Sequence, residues 1–297
     1  MLDYALTLAV VTLIYVLLSL ALDLQYGFTG MINFGVAGFF GAGAYTSVLL
    51  TMRAGWPAPL SFAAAMVVCG AIAWPLGKIA LRLRDDYLAI VTLGFSEIIR
   101  LVLVQEQWLT NGVQGIPGVP RLWPTWSTAH SELFLLVMLC VANVAMVVFL
   151  RHLTHSPYGR LIQAIRDDEV AVKALGKNPA RFKTQVLVIG GAITGLAGAF
   201  FAHYMTYIVP DQFVPLITFY VWMAVIMGGV ARLSGSVAGA ALLVIFLEGS
   251  RFLRGVLPWV SDDAMASVQI GAVGLVLILF MRWRPEGLFG RRREGLR

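Results

Sequence analysis

Residues 184–208, TQVLVIGGAITGLAGAFFAHYMTYI, decide the fold class. A membrane-spanning helix needs about 20 predominantly apolar residues, and this run supplies them without one Asp, Glu, Lys or Arg. The run is continuous and rich in Gly, Ala and Leu. A membrane β-barrel would instead show short segments of alternating hydrophobicity. Comparable apolar segments occupy 3–22, 28–52, 57–81, 87–104, 133–150, 213–230, 235–257 and 264–283. The 297 residues are 59% hydrophobic and 13% charged, whereas a soluble domain is about a quarter charged. A soluble fold keeps a sizeable share of its surface exposed and could not hide so much apolar area. The expected architecture is therefore an all-α polytopic membrane protein of about 8–10 transmembrane helices, with residues 1–297 forming one membrane domain.

Charge orients the stack. Segment 151–183 carries seven Lys or Arg residues and segment 282–297 carries six, together 13 of the 22 in the chain. Cytoplasmic loops retain positive charge, so both segments are expected inside, the second ending in a basic tail over 284–297. Four spans between them return the chain to the same side, which agrees. The turn near Arg232 then falls inside, as does Arg82-Leu83-Arg84, and the Gly-, Pro- and Trp-rich loop 105–132 falls outside. Nine full spans would put Met1 outside, and a broken or re-entrant 28–52 could put it inside. Asp3 stands where a signal peptide would carry positive charge, so the first run reads as a retained span.

Segment 28–45, FTGMINFGVAGFFGAGAY, is the most unusual apolar run. It combines Asn33 with closely spaced glycines and Phe34. One reading is a tightly packed helix with one satisfied amide. The other is a broken, Gly-rich helix beside a translocation path, with Gly30, Asn33, Phe34, Gly35 and Gly38 as candidates, since irregular backbone at membrane depth is tolerated where it is buried or lines a cavity. The small-residue seams Gly191-x3-Gly195 and Gly235-x3-Gly239 suit close helix packing, within one subunit or between two. Ser236–Gly239 faintly echoes Gly35–Gly38. Intramembrane charges are costly. Glu97 and Arg100, and Glu248 and Arg251, lie three residues apart on a helix face and can pair, as structural ion pairs or as part of a polar path.

The loop 151–183 starts a helix at Ser156-Pro157, follows a partly amphipathic pattern through Leu161, Ile162, Ile165, Val170, Val172 and Leu175, and stops at Gly176 and Pro179. One or two short helices follow, lying on the membrane surface or seated in a groove on another protein. Absences also discriminate. Neither Gly77-Lys78 nor Gly176-Lys177 completes a phosphate-binding loop. There is no HExxH and no GxSxG, so no catalytic residue is assigned. The four histidines lack metal-ligand spacing, and Cys69 and Cys140 read as small buried hydrophobes.

At the level of whole motifs the chain resembles the M-type permeases of bacterial branched-chain amino-acid ABC importers. The likeness is carried by YGFTGMINFGVAGFFGAGAY (26–45), LRLRDDYLAIVTLGFSEIIRLVL (81–103), LTNGVQGIPGVP (109–120), the stretch from Ser156 to Ala202, MGGVARLSGSVAGAAL (227–242) and RPEGLFG (284–290). It implies a type II importer permease fold, pairing with an H-type permease, two cytoplasmic ATPases and a periplasmic binding protein, in a bacterial inner membrane. It implies that ATP and magnesium sit on the ATPases, that this chain needs no cofactor of its own, and that its partners include no nucleic acid. The loop is similar to the EAA…G coupling signature, with Val170 in place of Ala. Coupling residues would be Arg160, Ala164, Arg166, Glu169, Ala171 and Gly176. Asn33 stands where the resemblance leads one to expect Ser or His character. Related permeases serve urea, short amides and other amino acids, so the substrate stays open. A stand-alone secondary carrier is the rival class, and it would usually show unpaired intramembrane charges or a two-half repeat.

Overall fold

The computed structural model describes residues 2–80, 85–122 and 128–254, with isolated positions between 271 and 289. The helices are α1 (Leu2–Leu22), continued by a π-helical turn at Asp23–Gly27, α2 (Val36–Arg53), α3 (Ala58–Ala80), α4 (Asp85–Gln105), the single turn α5 (Gln107–Thr110), α6 (Thr128–His155), α7 (Pro157–Asp167), α8 (Glu169–Ala174), α9 (Pro179–Met205), α10 (Pro215–Gly228) and α11 (Leu233–Arg254). Among the described residues, six helical stretches are long and apolar enough to cross a membrane: Tyr4–Gly27, Ala58–Ile79, Tyr87–Gln105, His130–His155, Pro179–Met205 and Pro210–Gly228. Glycines, hydroxyls and Arg53 make α2 too weakly apolar to join them, and the apolar part of α11, Leu233–Glu248, is shorter. The expected segment 264–283 lies almost wholly outside the described residues, as does the turn 82–84.

Helix α9 is the central post. It packs along α2 and α3, and α1 lies against α9, α10, α11 and α6. Its glycines set how close these helices come. A Cβ on Gly43 would run into the backbone of Gly195, and one on Gly198 into the Phe40 carbonyl. The Gly235 and Gly239 faces meet Gly228 and Ala224 of α10 in the same way. Both seams thus pack helices of this one chain. Cys69 is buried, but Cys140 is exposed on the outer face of α6, where Val137, Val141 and Val144 also point outward. The reading of Cys140 as buried is corrected, because α6 packs through one side only.

The bundle has two ends. One carries α7 and α8 and is called the loop end. At the other, a two-residue ladder pairs Ile116 with Ile208 and Pro117 with Tyr207, and Arg53 donates to the carbonyls of Trp108 and Leu109. Helix α1 runs toward the loop end, so its first turn lies at the opposite one, where the Tyr4 hydroxyl is 3.4 Å from Glu248 near the far end of α11.

Candidate functional site

Segment 28–52 is not one helix. The π turn ends at Gly27, residues 28–35 are irregular, and α2 begins at Val36. The freed backbone groups find partners from several helices. The Phe34 N–H donates to Thr92 Oγ1 of α4 at 2.9 Å, the Ala37 N–H to Thr218 Oγ1 of α10 at 3.0 Å, and Trp222 Nε1 to the Asn33 carbonyl at 3.0 Å. Buried backbone that leaves a helix must be satisfied in this way, since an unpaired group in an apolar interior costs several kcal/mol (about 2–7).

Asn33 pins the break. Its Nδ2 donates to Gln25 Oε1 at 2.6 Å and its Oδ1 accepts from the Gly35 N–H at 2.7 Å. The side chain is buried, and both ends of its amide are engaged within the chain. Gln25 reaches it across α9 because position 190 is glycine, where a Cβ would clash with the Gln25 amide. Phe34 stacks on Trp222 with ring centroids 5.2 Å apart and lies 5.5 Å from Phe219, whose ring is exposed. Gly35 and Gly38 are buried against Thr92 and Ser96 of α4. Of the five expected path residues, Phe34 and Gly30 are partly exposed and the other three are enclosed.

The two short helices form as the loop pattern predicts. Ser156 Oγ accepts from the Gly159 N–H and Pro157 takes the first helical position of α7; Asp168 likewise caps α8 through the Ala171 N–H at 2.9 Å. Gly176 closes α8 at φ +74°, a conformation glycine adopts freely. Its N–H bonds the Lys173 carbonyl while the Lys177 N–H bonds that of Val172, the Schellman arrangement. Ile162, Ile165 and Val172 are buried. Val170 and Leu175 are 75% and 80% exposed, and Arg160, Ala164 and Ala171 are exposed beside them. Glu169 is clasped at 2.7 Å by Lys173 and by Lys183 of α9. Burial would raise its carboxyl, but the hydrogen bonds and charges of the two lysines outweigh this and hold it below the usual carboxylate range.

One expected coupling residue, Arg166, lies against one expected path residue, Gly30. Arg166 of α7 donates to the Gly27 carbonyl, and the Arg166 stem lies against Gly30, which sits at φ +77°. Beside it Asp23 Oδ1 accepts from the Ala231 N–H at 2.8 Å, tying the π turn to the α10–α11 turn. The Leu288 and Phe289 N–H groups bond the carbonyls of Met227 and Gly228. Sequence reasoning missed Asp23, Gln25, Thr92, Thr218 and Trp222. Their signal was polar atoms isolated within apolar runs. The Glu97–Arg100 pair forms at 2.5 Å, with Asp211 3.3 Å from Arg100, away from this cluster at the opposite end. The side chain of Arg251 lies outside the described residues. Those residues hold no group of three metal-ligating side chains.

The family described as "Branched-chain amino acid transport system / permease component" matches residues 4–281. The chain is 30% identical to the high-affinity branched-chain amino acid transport system permease protein LivM of Salmonella typhimurium, over 97% of this chain and 71% of that protein. It is 24% identical to the probable branched-chain amino acid transport permease protein LivM of Methanocaldococcus jannaschii, covering 93% and 90% of the two chains. It is also 24% identical to the permease protein LivH of Escherichia coli, covering 93% and 91%. No solved structure matches the chain.

Proposed function

The chain belongs to the branched-chain amino acid transport permease family, and on that premise we propose that it is the M-type half of a permease pair in an ATP-driven importer of branched-chain amino acids. The stronger identity to LivM than to LivH supports that half of the pair. The H-type permease would complete the translocation path, two ATPases carrying ATP and magnesium would drive it, and a periplasmic binding protein would deliver substrate. This chain itself would be no enzyme and would hold no cofactor. The positive-inside distribution supports a cytoplasmic position for α7, α8 and the basic tail, and a bacterial inner membrane is the location such an importer would have.

The observation that carries the reading is the contact of Arg166 with Gly27 and Gly30. Val170 and Leu175, uncovered by this chain, offer an ATPase groove an apolar grip. Movement of α7 would then pull on the break at 27–35, where the backbone is irregular and so can change without unwinding a whole helix. Reconstitution with the partner chains tests this. Glu169→Ala or Gly176→Val should uncouple ATP hydrolysis from labelled leucine uptake while membrane insertion persists. Normal coupled uptake in both variants would overturn the assignment.

A further inference from the structure

A second feature of the loop end concerns the lipid. A cavity of about 850 Å³ opens between the end of α6, the outer side of α7 and the start of α11. Three arginines from three separate elements line it: Arg151 of α6, Arg160 of α7 and Arg232 of the α10–α11 turn. Among the described residues no carboxylate forms an ion pair with any of them. Three like charges around one cavity repel, weakly where water screens them, and an anion entering the cavity would relieve that repulsion. Guanidinium groups suit phosphate, which they meet with two parallel hydrogen bonds.

The rest of the wall says which phosphate. Val147 of α6 and Val237 of α11 add apolar wall to the same cavity. From there α6 and α11 flank α1 on its two sides with little contact between them. Val144 on α6 and Ile245 on α11 are exposed farther along. A charged cavity at the membrane edge, with exposed apolar side chains of α6 and α11 farther along, suits a molecule with an anionic head and acyl chains. Basic pockets between helices on the cytoplasmic side bind such headgroups. We infer that Arg151, Arg160 and Arg232 form a binding site for the phosphodiester headgroup of an anionic phospholipid of the cytoplasmic leaflet. Only the choice of leaflet rests on the function proposed above.

The test is lipid retention by the full-length chain. Purified protein is titrated with phosphatidylglycerol, with phosphatidylcholine and with inorganic phosphate, and adducts are counted by native mass spectrometry. Phosphatidylglycerol should be retained preferentially. The double variant Arg151→Gln/Arg232→Gln should bind it about tenfold or more weakly, as expected when a charge-assisted hydrogen bond is removed. Arg151 is exposed, so Arg151→Gln alone keeps the test informative should the double variant fold poorly. Lys78→Gln, in a separate basic groove beside Trp74, should leave retention unchanged. Equal retention by wild type and the arginine variants would overturn the site. So would an equal loss in Lys78→Gln, which would show diffuse attraction to a basic edge, or binding of inorganic phosphate without preference for the lipid. Adducts are read without ATPase subunits, so failure here and failure of ATPase docking are separate results.

Discussion

The Arg166 guanidinium donates to the carbonyl of Gly27, 139 residues away in sequence. That bond joins the second half of a surface helix to the point where the first membrane helix ends. It is a charged donor on a carbonyl that no longer has a helical partner, an interaction worth about 1.5–3 kcal/mol. Arg166→Ala is therefore expected to lower substrate uptake per ATP hydrolysed by roughly tenfold. ATPase binding should be kept, because Val170 and Leu175 are untouched. Arg166→Lys should fall between, since it keeps the charge but loses the planar fork. Proteoliposome uptake measured beside ATPase rate checks this, and unchanged coupling in Arg166→Ala would remove Arg166 from the mechanism.

Two glycines near each other in space predict opposite outcomes. A Cβ on Gly38 would lie 2.7 Å from the Ser96 Cα, a backbone atom that cannot move aside, whereas one on Gly94 would meet nothing within 4 Å. Gly38→Ala should push α2 from α4 and destabilise the protein by about 1–3 kcal/mol. Gly94→Ala should be neutral or slightly stabilising. Thermal unfolding of the two purified variants in detergent separates them. Gly35→Leu, against Asn33 Oδ1 and the Thr92 carbonyl, should in addition block uptake.

Much of this arrangement is legible in the sequence because it is local. Ser156-Pro157 and Gly176 bound the loop helices through caps that depend on immediate neighbours, and the apolar lengths of α1, α3, α6 and α9 follow from the thickness of a bilayer. The glycines and Asn33 announce a disturbed helix, but not where it breaks. The break at 28–35 is held by Thr92, Thr218 and Trp222, which lie 58 to 189 residues from their partners. No periodicity within the segment encodes them. Likewise the charge pattern places α7 and the 228–232 turn on one side, yet only the folded chain brings Arg166 to Gly27 and Asp23 to Ala231.

The Glu169 clasp has a defined pH window. Lys173 and Lys183 hold its carboxyl below the usual carboxylate range, so the folded form binds a proton less readily than the unfolded chain. The stabilisation is therefore complete above the unfolded value, near 4.3, and is lost as pH falls through the depressed folded value. Hydrogen exchange at α8 should be as protected at mildly acidic pH as at neutral pH, and protection should fall only in stronger acid. Glu169→Gln should abolish that step. A loss of protection between about pH 7 and 6 would point to a histidine in place of the clasp.

Asn33 gives the sharpest test of what the break is for. As a pin it joins two groups that have no other hydrogen-bond partner among the described residues, Gln25 Oε1 and the Gly35 N–H. Asn33→Leu would leave both buried and unpaired, at about 1–3 kcal/mol each. The expected result is a lower unfolding midpoint together with reduced uptake of every substrate tried. Asn33→Asp should recover part of the stability. Its oxygens can still accept from Gly35, and Gln25 can turn its amide to donate. A residue that met the substrate directly would behave differently, shifting the relative uptake of leucine, isoleucine and valine while the unfolding midpoint stayed put. That second pattern would move Asn33 from the scaffold of the break to the wall of the path.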